Sequence, residues 1–240
     1  MKHQINEISE RFSSDIRLLE TYLAEIKKSI IELNNECEKL KTYIEEGNSI
    51  EVKPKVIEKE DGKSVITRGI CDNPQSREII LFALKNRTER LSEYIKLSVV
   101  MSFTYLMTTF DAKYLEIINT YFNGISDTFP SDVNIENKVM KFAYKSFDRQ
   151  LRSLKMNHNI DFEKIFDRNK IEQLIEIIET RNIIVHNSGI VSKKYIKNVS
   201  NTKLTEGELR IVDEVYLENA KDLIQIFFSE LINQINNCLQ

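Results

Sequence analysis

The chain has 240 residues, of which 41% are hydrophobic and 30% are charged, and its net charge at pH 7 is −3. This balance supplies a core for one large domain. It excludes binding to nucleic acid or to an anionic membrane through overall charge, so only a local cluster could provide it. Six glycines, three prolines and no tryptophan indicate few tight turns. We therefore predict an all-α fold, a helical bundle, rather than a β-sandwich or barrel.

The cysteines and the chain start indicate the compartment. Cys37, Cys71 and Cys238 are far apart and form neither a CxxC pair nor a zinc-like spacing with histidine. We expect reduced thiols in a soluble, cytoplasmic protein. The first residues lack the apolar core of a signal peptide, and the longest uncharged run, residues 97–110, is shorter than the ~20 residues of a membrane-spanning helix. No sequence motif marks a metal or cofactor site, so we expect neither.

The first 47 residues carry a heptad pattern. Apolar side chains alternate at steps of three and four over about four heptads, at Ile16, Leu19, Leu23, Ile26, Ile30, Leu33, Cys37, Leu40 and Ile44. The pattern predicts one long N-terminal helix over residues 5–46. It fits packing within its own domain and a coiled-coil contact with a second copy equally well, so both interpretations stay open.

Residues 48–75 differ in character from their surroundings. Short β-branched runs flank Asp61-Gly62, a type I′ turn signal, so we predict a small β-hairpin or loop insertion. Residues 76–240 would complete a single helical domain that spans 1–240. A helix from near residue 75 to 124 contains the run 97–110, which is apolar almost all round and predicts a buried central helix. Asp111 follows this run and either reaches the surface or lies near a site.

A basic stripe follows from residue 138. Cations recur at steps of three and four, which places them on one side of a single predicted helix, at Lys138, Lys141, Lys145, Arg149, Arg152 and Lys155. Such a stripe can follow the phosphates of a nucleic acid, although a solvated face is the favoured explanation of the stripe taken alone. Lys193, Lys194 and Lys197 lie further along the chain and favour a polyanion such as RNA.

The one motif with catalytic chemistry is Arg181-x4-His186, at the end of a helix predicted to start near Asp161. A histidine transfers protons near neutral pH because its unperturbed pKa is ~6.5. A planar arginine can hold a phosphate through paired hydrogen bonds and stabilise developing charge. Together they suit cleavage of RNA, which brings its own 2′-hydroxyl nucleophile and then requires no metal.

The spacing of this motif has a geometric consequence. Five residues on a regular α-helix leave two side chains about 140° apart. Asn187-Ser188-Gly189 is a typical helix exit, so we predict that the motif straddles a helix end and that the two side chains converge there. A long loop through Tyr195 to Gly207 and a last helix over about residues 217–238, which closes the bundle, are expected to follow.

The segment "RNIIVHNSGIV" at residues 181–191, with Tyr195 beyond it, resembles the HEPN superfamily, whose ribonucleases carry an Arg-x4–6-His motif in a helical bundle. The resemblance implies a metal-independent endoribonuclease of bacterial toxin or antiviral-defence type. It implies a homodimer with a composite active site and, as a further partner, an antitoxin or defence protein. Arg181, His186 and Asn182 would be catalytic, and three residues could support them: Asp111, Asn187 and Tyr195.

Alternatives to this interpretation remain at the sequence level. Arg152 and His158 form a second pair at a spacing within the family's range, after the basic stripe. A non-catalytic interaction module could use the N-terminal heptads to bind a partner or to dimerise. RNA binding without cleavage could use the basic stripe. His186 could also serve only as a hydrogen-bonded helix-end residue.

Overall fold

The computed structural model describes residues 1–48, 50–58, 64–71, 74–164 and 166–239, with the backbone alone for 50–58, 64–71, 76 and 164. The chain divides into two compact units, one formed by Met1–Leu23 with Val99–Gln240 and the other by Ala24–Ser98. Two long helices each contribute residues to both units.

The described helices and strands follow one another in an order that confirms the all-α class with its long N-terminal helix. In chain order they are α1 Lys2–Glu45, β1 Ile50–Glu58, β2 Ser64–Cys71, α2 Pro74–Gly124, α3 Ile135–Ala143, α4 Phe147–His158, α5 Arg168–Asn187, α6 Lys193–Asn198 and α7 Glu214–Cys238. Short 3₁₀ turns lie at Ser126–Thr128 and Phe162–Lys164. In the described part of the chain, no helix has both the length and the apolarity to cross a membrane.

The unit Ala24–Ser98 holds the C-terminal part of α1 and the N-terminal part of α2. Its buried cluster joins Ile30, Cys37 and Ile44 of α1 to Leu84 and Leu91 of α2. Except for Leu40, which is 38% exposed, the heptad side chains of α1 are buried or half-buried within their own chain, which favours packing within the chain over a coiled-coil contact.

The predicted insertion contains an antiparallel pair of strands. β1 and β2 pair from Ile50 with Cys71 to Glu58 with Ser64. The register shifts between Val52 and Lys55, where Pro54 has no backbone N–H to donate to the ladder. The predicted Asp61-Gly62 turn lies outside the described residues. Pro74 begins α2, at the first helical turn where a missing N–H costs least.

The unit Met1–Leu23 with Val99–Gln240 is built on an aromatic core. Phe227 of α7 stacks on Phe162 with ring centroids 4.7 Å apart and meets Phe110 of α2 at 5.9 Å. Phe228 stacks on Phe12 of α1 at 4.2 Å. All five rings are at most 3% exposed. These contacts bring α1, α2 and α7 together around a core that also carries α5.

The prediction that residues 97–110 are buried all round is wrong. Phe103, Leu106 and Phe110 are buried, but Leu97, Met101 and Tyr105 are 53%, 60% and 47% exposed. These three follow steps of four along α2, so they form one exposed stripe on this part of the helix.

Two further helix predictions are corrected. The basic stripe does not lie on one helix, because α3 ends at Ala143 and α4 begins at Phe147. Gln150 stabilises this corner by donating to the carbonyls of Ala143 and Lys145, at 3.2 and 2.9 Å. The predicted loop after Gly189 contains the short helix α6, whose first turn is capped by the Ser192 hydroxyl.

Candidate active site at the end of helix α5

Helix α5 carries both residues of the motif and ends as the sequence predicts. Asp167 caps its start by accepting from the Lys170 N–H at 2.8 Å. At its end Ser188 and Gly189 have positive φ of 51° and 79°, and the Gly189 N–H donates to the Ile183 carbonyl at 2.9 Å. A Cβ at Gly189 would lie 3.2 Å from the Leu209 side chain, so space as well as conformation favours glycine.

The motif does not straddle the helix end. His186 lies in the last turn, but α5 stays α-helical through Asn187. Arg181 and His186 therefore leave one regular helix about 140° apart. Convergence of the two side chains by an unwound last turn is not observed. A site that uses both side chains on one phosphate needs a contribution from outside this helix.

Arg181 is held by two long contacts. Its guanidinium lies 3.4 Å from the Asp111 carboxylate and donates to the Asn182 side-chain oxygen at 3.3 Å. Both distances exceed the usual range for charge-assisted bonds, ~2.7–2.9 Å. The Arg181 Nε is buried and has no partner among the described residues. The side chain is thus positioned at 23% exposure while part of its donor capacity stays unused.

Asp111 on α2 joins the motif across 70 positions of sequence. Burial raises the pKa of its carboxyl, and the nearby Arg181 charge offsets only part of that rise. One turn further along α2, the Tyr114 hydroxyl is buried without a partner among the described residues. Burial and the Asp111 charge both raise the pKa of this phenol. The acidic side chain that the sequence associated only loosely with the motif lies beside Arg181.

His186 is exposed and available. Within the described part of the chain its ring makes no hydrogen bond and no ion pair, so it serves neither as a cap nor as a packed core histidine. The neighbouring Asn187 side chain donates to the Ile190 carbonyl at 2.6 Å and closes the helix exit. Val185, on its other side, is 47% exposed. An accessible imidazole on an ordered helix end is suited to proton transfer.

A carboxylate that sequence reasoning missed organises the interior behind the motif. Glu176 accepts from the hydroxyls of Tyr195 and Tyr216, both at 2.8 Å. It also accepts from the Thr180 hydroxyl at 2.9 Å and forms an ion pair with Arg210 at 3.0 Å. Tyr195 is 1% exposed, and burial raises its pKa to about 12. Its support for the site is therefore structural, by fixing α6 against α5.

The sequence carried a weak signal for this network. Glu176 stands four residues before the fully buried Thr180, between the apolar Ile175 and Ile177. A charge at such a position requires a partner. Its partners come from α6, α7 and the segment before α7, which no local pattern identifies.

The predicted RNA-binding cations do not form one surface. Lys138, Lys141 and Lys145 line a groove between α3 and α4. Arg152 is paired with Asp148, and Lys155 with Asp161 and Glu163. Arg149 is exposed on α4, and Lys193 and Lys194 are exposed in the first turn of α6.

The competing pair is not brought together. Arg152 lines a groove that also contains Glu172 and Lys197, whereas His158 lines the groove that contains Lys138. The His158 ring stacks on Phe122 at 5.1 Å between centroids. Burial and the Lys138 charge lower its pKa, which disfavours the imidazolium. This geometry favours Arg181 and His186 as the candidate pair.

Comparison with known proteins identified no relative of this chain. The chain matches no family model, no curated protein and no solved structure. Among the described residues, no three His, Cys, Asp or Glu side chains converge as a metal site would require.

Proposed function

We propose that the protein is a metal-independent endoribonuclease of HEPN type, with Arg181 and His186 as catalytic residues and Asn182 beside them. The observation that carries the proposal is an exposed, unpartnered His186 on the same helix end as an Arg181 anchored by Asp111. The resemblance of residues 181–191 to HEPN ribonucleases supports it. The same resemblance suggests a toxin or antiviral-defence role in the cytoplasm, with an antitoxin or defence protein as partner.

The proposed reaction uses the substrate's own nucleophile. The ribose 2′-oxygen forms a bond to the adjacent phosphorus, and the bond from phosphorus to the 5′-oxygen breaks. The His186 imidazole accepts the 2′-hydroxyl proton, and the imidazolium that results gives a proton to the departing 5′-oxygen. Arg181 neutralises the charge that builds on the non-bridging oxygens. The products carry a 2′,3′-cyclic phosphate and a 5′-hydroxyl.

A homodimer would bring an Arg181 and a His186 together, which a single α5 helix does not. Arg181 and His186 diverge on α5, and in a two-fold pair the Arg181 of one copy could serve the His186 of the other. Exposed apolar side chains occur around the motif and in the segment that pairs with its exit, at Val185, Leu209, Ile211 and Val215. Exposed apolar patches of this kind are typical of protein–protein contacts. We therefore propose a composite active site at a two-fold interface.

The test is cleavage of a single-stranded RNA in excess EDTA by the wild type, His186→Ala and the matched control His3→Ala, whose histidine lies on an exposed part of α1. We expect wild type and control to cleave equally and His186→Ala to lose on the order of 10²-fold or more. Product ends are identified by mass spectrometry. Equal cleavage by His186→Ala, or strict dependence on a divalent metal, would rule out this mechanism.

The alternative of a non-catalytic module acting through the α1 heptads loses its simplest form. Leu23 and Ile30 are 7% and 9% exposed within their own chain. Charges placed there would test folding rather than partner binding, so this alternative needs a surface other than the heptad stripe.

A further inference from the structure

A groove between α3, α4 and the C-terminal end of α2 collects cations that form no ion pair with the described part of the chain. It encloses about 580 Å³ and is lined by Phe122, Lys138, Lys141, Lys145, Asn157 and His158. Among the described residues that line it, Asp132 is the one carboxylate. Three ammonium groups therefore face one acid. Pockets of roughly 300–1,000 Å³ are typical of ligand sites.

Two of the lysines are fixed in place without an acidic partner. The Lys138 ammonium lies 3.4 Å from the centroid of the Phe129 ring and 5.5 Å from that of Phe122. Lys145 donates to the Ser153 hydroxyl at 3.2 Å. Burial and the nearby Lys145 charge both lower the pKa of Lys138. Holding like charges close together is unfavourable until an anion binds between them.

Two cations of the neighbouring helix α4 show the contrast. Arg152 and Lys155 are each paired with carboxylates of the chain itself. Within the described part of the chain, Lys138, Lys141 and Lys145 have no such ion pair, so the groove keeps its positive charge. The groove also contains an uncharged donor, the Asn157 amide, which donates to the Ser153 hydroxyl at 3.2 Å.

The groove lies on the same side of α2 as the candidate active site. Asp111, which contacts Arg181, and Phe122, which lines the groove, are eleven residues apart on one uninterrupted helix. Eleven residues of α-helix amount to about 16 Å of rise and about 20° of residual rotation. At ~3.4 Å of axial rise per phosphate along one strand of a duplex, 16 Å corresponds to about five phosphates. One short strand could reach both places.

We propose that the Lys138–Lys141–Lys145 groove binds phosphate groups of the RNA backbone and holds the strand that is presented to Arg181 and His186. The inference rests on the proposed function only in taking RNA as the ligand. Free inorganic phosphate offers the same chemistry, so the experiment separates the two sources. Because lysine ammonium groups contact phosphates and not base edges, binding is expected to be insensitive to base sequence.

The test measures fluorescence anisotropy with a labelled single strand whose 2′-oxygens are methylated, so that it cannot be cleaved. The full-length chain carries His186→Ala throughout. Lys141→Gln with Lys145→Gln should weaken binding by about tenfold or more at about 0.1 M salt and should reduce the slope of log K against log salt by about 1.4. Lys141→Arg with Lys145→Arg keeps the charge and should restore binding.

The matched control is Arg152→Gln with Lys155→Gln, which removes the same charge from the neighbouring helix α4 but at acid-paired positions. It should change the affinity by less than about threefold, because those cations are already neutralised. Equal weakening by control and groove variants, or no weakening by the groove variants, would overturn the proposal. Circular dichroism melting checks that each variant is folded.

Inorganic phosphate provides the second arm. At constant ionic strength it should displace the strand no better than chloride does. Displacement by phosphate at concentrations well below the salt present would make the groove a small-anion site and overturn the assignment to RNA. Cleavage is measured separately with unmodified RNA. If the groove variants lose strand binding and the wild type does not cleave RNA, the groove is supported and the proposed function is contradicted. If the wild type cleaves RNA and the groove variants bind the strand normally, the proposed function is supported and the groove is contradicted.

Discussion

At the scale of single residues, the contact between Asp111 and Arg181 has the features of a functional rather than a stabilising pair. Their closest atoms are 3.4 Å apart, and burial raises the pKa of Asp111 although a guanidinium lies beside it. The folded state therefore binds a proton at Asp111 more readily than the unfolded chain does. Its stabilising contribution is complete below pH 3.8 and is lost as the pH rises through the folded-state pKa.

This sign leads to a prediction for Asp111→Asn. At pH 7 the substitution removes a charge that this half-buried site disfavours, so the urea midpoint should stay unchanged or rise. RNA cleavage should fall by about ten- to hundredfold in kcat/KM, because Arg181 loses the charge that positions it. The control is Glu116→Gln. Glu116 lies elsewhere on α2 and pairs with Arg11 of α1, so its substitution should leave cleavage intact. A loss of stability that parallels the loss of cleavage would show instead that Asp111 is structural.

At the scale of secondary-structure elements, Glu176 joins α5 to α6, to α7 and to the segment before α7. Arg210 stacks over the Tyr216 ring at 4.3 Å while pairing with this carboxylate, so one acid fixes a cation and two phenols. These contacts fix the middle of α5 against α6, α7 and the segment before α7.

Glu176→Gln should consequently lower the free energy of unfolding by about 2 kcal/mol or more, because it leaves the largely buried Arg210 without its counter-charge. The measurement is a urea titration followed by circular dichroism. Glu218→Gln is the matched control, because Glu218 is an exposed carboxylate and its partner Lys221 keeps an ion pair with Glu20; it should change stability by less than about 0.5 kcal/mol. Similar midpoints for the two variants would contradict a structural role for the Glu176 network.

The sequence predicted those elements whose causes are local. The heptad stripe of α1, the long α2 and the exit of α5 at Ser188 and Gly189 follow from periodicity and backbone preference within a few residues. The corner between α3 and α4 was missed because it depends on the Gln150 side chain reaching back to Ala143. α6 was missed because six residues are too few to show a helical period.

The candidate site divides in the same way. Arg181 and His186 could be proposed from the sequence because both residues and the helix exit lie within one short segment. The Asp111 contact and the Glu176 network depend on which helices pack together, and single-sequence periodicity carries no information about that.

At the scale of the whole molecule, the decisive question is whether two copies build one site. Arg181 and His186 diverge on a regular helix, and exposed apolar side chains surround them. If one copy were sufficient, each chain would have to bring its own pair together, against the geometry of α5. If two copies combine, the Arg181 of one can serve the His186 of the other.

Mixing two inactive variants distinguishes these cases. Arg181→Ala and His186→Ala should each be inactive alone, but together they should recover about a quarter of wild-type cleavage, because about half of the randomly exchanged two-fold dimers are mixed and each retains one of two composite sites. Ile211→Glu with Val215→Glu should abolish both the dimer, measured by light scattering, and the recovery. Met156→Glu, an equally exposed apolar position on α4, is the matched control and should leave both intact. Full inactivity of the mixture while the dimer persists would mean that each chain acts through its own motif, and the composite site would have to be abandoned.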